Sequence, residues 1–124
     1  MNVTLWVLAG LLAAVFLLSG VMKVARSKAQ LADSGQGWTE DFSAPMIKFI
    51  GLAEVAAAIG LILPPALDIA PVLAPIAALG AAVVMVGAAI THGRRKEYPN
   101  VLTNLVLLAI AVVVAWGRFG PYSL

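Results

Sequence analysis

Along this chain the polar positions gather in short clusters that separate four long apolar runs, each close to the roughly 20 helical residues that cross a bilayer's hydrocarbon core. The first run, Val3 to Met22, holds no charge and is followed at once by Lys23, Arg26 and Lys28, which sets a span at about residues 3–23. The second opens behind Ser43 with Pro45 in its first turn, where a missing N–H is tolerated, and covers about 45–63. The Pro64-Pro65 pair is expected to stop it. The third spans about 69–91, with Pro71 and Pro75 near its start and His92-Gly93 closing it. The fourth, about 101–117, begins after Tyr98-Pro99-Asn100 and ends at Gly117-Arg118. No run alternates with period two, so a transmembrane barrel is not expected. The pattern predicts an all-α fold, a polytopic membrane protein built as an antiparallel four-helix transmembrane bundle in a single domain over residues 1–124.

The connections differ in length. A polar connection at 25–44 contains Gly35, Gly37 and Trp38, and its first part, Val24 to Ala32, reads as a prolongation of the first helix. The second connection reads as a tight Pro-Pro-Ala-Leu turn. Lys23, Arg26 and Lys28 flank one connection and Arg94, Arg95 and Lys96 fill another on the same side, so by the positive-inside rule that side is expected to be cytoplasmic. Asp68 and both termini then face outward, and the expected location is a plasma membrane of bacterial type. The apolar N-terminal stretch lacks a basic n-region and exceeds an h-region in length, so it reads as a retained span.

Composition agrees: 62% of the 124 residues are hydrophobic and 11% charged, where a soluble domain carries about a quarter charged residues. A net charge of +2 gives no nucleic-acid-binding face, so nucleic acid is not an expected partner. The absence of cysteine removes disulfides, thiolate metal sites and dithiol redox chemistry, and one histidine cannot supply bis-histidine haem ligation or a zinc or copper set. No metal site and no intrinsic cofactor are expected. Phosphate-loop and nucleophile-elbow motifs are also missing. Small residues at helical spacing, Ala9 with Ala13, Ala56 with Gly60 and Ala77 with Ala81, suit close helix packing within the bundle, a homo-oligomer seam being the alternative.

Candidate chemistry lies in the polar groups inside the spans, each of which costs about 2.5 to 3.5 kcal/mol at mid-helix on insertion scales when it is charged. Glu54 falls near the middle of the second span on a face with Gly51, Ala57 and Ala58. Lys23 ends the first span below Ser19 and Gly20, within reach of Glu54 if the two helices are neighbours. The pair reads equally as a functional site or as a buried clamp fixing helix register. His92, beneath Met85, Ala88 and Ala89, reads as a helix-end residue or as part of a site. Asn104 reads as an amide bonded to another helix or as a site residue. Lys23, Glu54, His92 and Asn104, one per span, all fall in the same half of the membrane, and with Met85 they define a candidate ligand pocket. Arg118, at the opposite end, reads as a snorkelling stop signal with a site role in reserve. Trp6, Trp38 and Trp116 fall near the interfaces, where aromatic belts sit without needing a ligand.

The order and spacing of several short motifs resemble the DoxX-like family of small four-helix membrane proteins. They are Phe16-Leu17-Leu18-Ser19-Gly20-Val21-Met22-Lys23, Gly51-Leu52-Ala53-Glu54 with Ile59-Gly60-Leu61, Ala77-Ala78-Leu79-Gly80, Met85-Val86-Gly87-Ala88 with His92, Asn104-Leu105-Val106-Leu107-Leu108, and Gly117-Arg118. The resemblance implies a four-helix bundle and a link to thiosulfate and quinone oxidoreduction, to oxidative-stress complexes or to membrane-protein assembly. Three functions stay open. The preferred one is an accessory or subunit protein that binds a lipophilic ligand, a quinone being the candidate, or a partner helix in the polar pocket; the catalytic residues of a self-contained enzyme are not identifiable on this reading. The second is a membrane-embedded enzyme with Glu54 as general acid or base and His92 as the second proton-transfer group. The third is an assembly factor with a structural Lys23–Glu54 pair. Membrane lipid, a partner subunit and a second copy of the chain are the candidate partners.

Overall fold

A computed structural model describes residues 2–33 and 35–120, the side chains at 40 and 41 aside. Its long helices are α1 (Asn2–Ala25), α3 (Ala44–Leu67), α4 (Leu73–Arg94) and α5 (Tyr98–Phe119), joined between α1 and α3 by the short α2 (Lys28–Asp33) and a 3₁₀ helix (Gly37–Asp41). All four long helices are long and apolar enough to cross a membrane. They pack antiparallel in a ring in which α3 lies between α1 and α4, and α5 closes from α4 back to α1. Among the described residues there is no strand. The chain is thus an all-α membrane protein with four candidate spans.

The core is thin. Leu5, Leu12 and Phe16 of α1, Leu61 of α3, Ala78 and Ala81 of α4 and Val114 of α5 are buried, while large residues such as Val7, Leu52, Val83 and Val106 point outward. Small residues let the backbones approach: a Cβ built on Gly20 would lie 2.6 Å from the Gly51 carbonyl oxygen, and one on Gly60 would lie 3.0 Å from the Ala77 Cβ. Ala9, Ala13 and Ala81 are buried in the same way, whereas Ala56 is exposed. The small residues at helical spacing therefore serve packing inside this bundle at five of the six positions.

Three boundaries depart from the sequence expectation. Helix α3 runs through Pro64 and Pro65 to Leu67. Both prolines sit in the last turn with a φ the helix already uses, and the chain closes by donating Ile69 N–H to Pro64 O at 3.0 Å and Asp68 N–H to Pro65 O at 3.4 Å. Asp68, in the left-handed region at φ 54, is what ends the helix. The tight turn accordingly lies at Asp68–Val72, with Ala70 also left-handed at φ 47, and α4 starts at Leu73 rather than near 69. The first helix stops at Ala25 instead of continuing toward Ala32. A capping box restarts the chain as α2: Gln30 N–H donates to Ser27 Oγ at 3.1 Å while Ser27 N–H donates to Gln30 Oε1 at 2.9 Å. Lys48 of α3 then caps the end of α1, donating from Nζ to Val24 O at 2.8 Å and tying the two helices together. At the start of α3, Ser43 Oγ accepts from Met46 N–H at 3.3 Å, with Pro45 in the first turn.

Candidate functional site

The Gly20–Gly51 crossing decides what α1 and α3 can bring together. With the two backbones in contact, Lys23 lies one turn past Gly20 and Glu54 one turn past Gly51, and Lys23 Nζ donates to Glu54 Oε1 at 2.6 Å. Ser19 completes the cluster: its Oγ accepts from Lys23 Nζ at 2.6 Å and donates to Glu54 Oε1 at 3.4 Å. Glu54 is 2% exposed, so its charge stands in a low dielectric where the ammonium partner and the hydroxyl are what hold it. On its other side the ammonium faces the Trp38 ring, 5.3 Å from the centroid.

Trp38 reaches that position because the connection between α1 and α3 folds back over the bundle. Gly35, at φ 96, turns the chain out of α2, and Gln36 N–H closes the turn on Leu31 O at 3.1 Å. Leu31 is fully buried and anchors the segment. Trp38 Nε1 donates to Gln36 Oε1 at 3.2 Å, and the ring meets Phe42 and His92 edge-on with centroids 5.7 and 6.5 Å apart. Trp38, expected near an interface, also stands over the polar cluster, since its position is set by this folded connection and not by depth along a helix.

Beneath Trp38 lies a cavity of about 570 Å³ lined by all four long helices. Lys23, Glu54, Met85, His92 and Asn104 all border it, together with Ser19, Trp38, Gln36, Phe42 and Asn100, which the sequence reading had not assigned to a pocket. Part of its wall is apolar, with Phe16, Val84 and Leu107 one or two turns deeper along their helices than Lys23, His92 and Asn104, and Ile50 nearer the end of the bundle than Glu54. His92 Nδ1 stands 2.9 Å from Glu97 Oε1, which also lies 3.5 Å from Arg95 Nε, so a carboxylate fixes the ring's orientation and favours the proton on Nδ1. Glu97 went unnoticed in the sequence because it belongs to the short connection before α5. Asn104 is 8% exposed, and its Nδ2 has no hydrogen-bond partner. The expected bond from this amide to another helix is therefore not made by Nδ2; the cavity lies where such a partner would sit. Among the described residues no three His, Asp or Glu side chains come together as a metal cage.

At the far end Arg118 is buried, not snorkelling, because α1 offers it partners: Nη1 donates to Asn2 Oδ1 and the guanidinium stacks over the Trp6 ring at 5.4 Å. It lies outside the cavity.

Chemically, the cavity combines a shielded ammonium–carboxylate pair, an oriented imidazole, an amide donor and an aromatic face over an apolar floor. Such a set is suited to a polar head on an otherwise apolar molecule. A family model described as the DoxX-like family matches residues 7–114, most of the chain and the whole of this cluster, and the chain belongs to that family. No curated protein and no solved structure matches it.

Proposed function

We propose that this member of the DoxX-like family is an accessory or subunit protein of the membrane that holds the head of a lipophilic ligand in the four-helix cavity, in support of oxidoreduction carried by that ligand or by a partner. A quinone is the candidate ligand: its carbonyl oxygens are acceptors, Asn104 Nδ2 and Lys23 Nζ are donors, and Trp38 offers a stacking face. The observation that carries this reading is the Asn104 amide, buried in a cavity wall with its N–H groups unmatched by protein. A buried donor left unmatched costs about 1 to 3 kcal/mol, which a ligand oxygen would recover. The sequence has no cysteine, and in this reading the electrons are carried by the ligand or the partner. The positive-inside rule assigns the cavity, at the end bearing Arg26, Lys28, Arg94, Arg95 and Lys96, to the cytoplasmic half of the membrane, with both termini outside.

Native mass spectrometry with lipid extraction, on protein from its own membranes, tests the reading. A stoichiometric small molecule in wild type, absent from Asn104→Leu and Glu54→Gln, is expected; a retained partner protein with no small molecule in either overturns it in favour of an assembly role. The His92–Glu97 contact at 2.9 Å supports an enzymatic second reading, since an imidazole oriented by a carboxylate is suited to proton transfer. That reading requires turnover that disappears in His92→Gln while ligand binding persists.

A further inference from the structure

The cavity has a neighbour. A shallower groove of about 230 Å³ is lined by Val15, Leu18, Ser19, Met22 and Gln36, and it shares Val15, Ser19 and Gln36 with the cavity. Positions 15, 18, 19 and 22 follow the i, i+3, i+4, i+7 stripe of a helix. This stripe lies on the flank of α1 away from Gly20 and Val24, the residues that meet the backbone of α3; the groove is lined by α1 and Gln36, and it adjoins α5 through the cavity that Val15 and Ser19 share with Asn104 and Leu107. Val15 is 43% and Leu18 66% exposed, on a surface that in a spanning helix faces hydrocarbon.

The α1–α5 seam is the one place where the ring is loose. Of the four neighbouring pairs of long helices, α1 and α5 share the smallest contact. They are drawn together at the Asn2 end, where Leu5 lies against Gly117 and Arg118 bonds to Asn2. At the other end they form opposite walls of the cavity, Val15, Ser19 and Lys23 on one and Asn100, Asn104 and Leu107 on the other. Cavity and groove thus meet at the edge of α1, and the groove continues along the helix axis for roughly 10 Å, the rise over the seven steps from Val15 to Met22. That direction is the one a lipid chain takes in a bilayer.

From this continuity we propose that the gap between α1 and α5 is a lateral portal, through which the cavity receives a neutral, single-headed lipid from the bilayer while its chain stays in the Val15–Leu18–Met22 groove. The proposal rests on the ligand-binding reading above and adds the ligand's class and its route. Neutrality follows from the charges in place. Among the described residues the ionisable side chains on the cavity wall are Lys23, Glu54 and His92; Lys23 and Glu54 neutralise each other, and His92 faces Glu97. An ionic head would bring an unmatched charge into this wall, at a desolvation cost that nothing there offsets. The head instead presents an oxygen acceptor to Asn104 Nδ2. The folded connection carrying Gln36 and Trp38 lines the cavity at the end of the bundle, and the adjoining groove, bordered by Gln36 and the exposed Leu18, lies on the apolar outer flank of α1.

The test is equilibrium binding to the purified full-length protein of a tritiated decyl-substituted benzoquinone, competed by the same ring without its chain and by decanoate. Wild type is expected to bind the chained probe at least about tenfold more tightly than the bare ring, and decanoate is expected not to compete. Leu18→Trp, on the lipid-facing surface and away from the head, fills the groove; it is expected to weaken the chained probe about tenfold and leave the bare ring unchanged. A diazirine at the chain end is expected to label the Val15–Met22 stripe. Equal affinity for chained and bare rings in wild type, or labelling of the outer faces of α3 and α4 at Leu52 or Val83, would overturn the portal while leaving the head site standing. Competition by decanoate would overturn the neutral head. If neither quinone binds wild type in a way that Asn104→Leu abolishes, the ligand-binding reading itself fails.

Discussion

At the Asn2 end of the bundle a buried guanidinium serves the helix seam: Arg118, 4% exposed, bonds to Asn2 and stacks on Trp6, and Gly117 lets Leu5 lie against the backbone of α5. At the opposite end a buried ammonium is also held, by Glu54 and Ser19, yet the same two helices stand apart around about 570 Å³ of space with an unmatched amide on the wall. Both ends bury a cation, so a buried charge alone does not mark a site. What separates them is space: at the Arg118 end the guanidinium sits against Asn2 and Trp6 outside the cavity, whereas at the Lys23 end the Asn104 amide borders a volume that no helix fills. The stability and ligand-binding effects of substitution should therefore part company between the two ends.

The largest expected effect breaks the ion pair. Glu54→Gln leaves the Lys23 ammonium without its carboxylate, at 12% side-chain exposure, and is expected to lower stability by about 3 kcal/mol in denaturant titration of the detergent-solubilised protein. Adding Lys23→Met to Glu54→Leu removes both charges and is expected to restore most of that stability without restoring binding of the chained quinone. Recovery of both would make the pair a register clamp only, and this end would then resemble the Arg118 end after all. A charge-swapped pair, Lys23→Glu with Glu54→Lys, sharpens the same question, since a clamp tolerates the exchange better than a site does.

Next comes the tight seam. Gly117→Val puts branched carbons where a Cβ alone would lie 2.5 Å from Leu5 Cδ1, the far end of a flexible side chain. A loss of about 2 kcal/mol is expected, with quinone affinity within twofold of wild type. Arg118→Met, which removes the contacts to Asn2 and Trp6 and keeps the aliphatic stem, is expected to cost about 1 kcal/mol, again without touching binding. Binding lost in either variant would mean that the two ends are coupled through α1 and α5.

How much of this was legible in sequence follows the same division. The four helices and the Lys23–Glu54 pair could be read because charge inside an apolar run is expensive and the small faces around Gly20 and Gly51 invite a close crossing. His92, Met85 and Asn104 could be grouped by depth alone. Trp38, Gln36 and Phe42 could not, because a connection has no period that reports which way it folds; the one local signal was the Ser27–Gln30 capping box, which separates α2 from α1. Arg118 was misread for a related reason, since a terminal arginine in isolation snorkels and only the partner helix supplies Asn2 and Trp6. The Pro64-Pro65 pair was read as a stop because proline is judged by its missing N–H, but in a last turn the decisive residue is the next one able to turn left-handed, Asp68.

The smallest change in stability, and the one of opposite sign, is expected at Asn104. Leucine is close to asparagine in length and removes an amide whose Nδ2 finds no acceptor in the protein, so Asn104→Leu is expected to leave stability unchanged or to raise it by about 1 kcal/mol. A residue kept only for helix packing would instead lose stability on this substitution. The same variant is expected to lose binding of the decyl-substituted benzoquinone, because the head loses its donor and the cavity gains an apolar branch. Asn104→Asp is the control: it retains the size while taking away the amide donor, and it adds an anion near a wall whose charges are already matched. If Asn104→Leu destabilises the protein and leaves binding intact, the amide belongs to the bundle and the contrast between the two ends disappears. If it stabilises and abolishes binding, the cost of the unmatched amide is borne for the ligand, and the Lys23 end is the part of the fold held open for it.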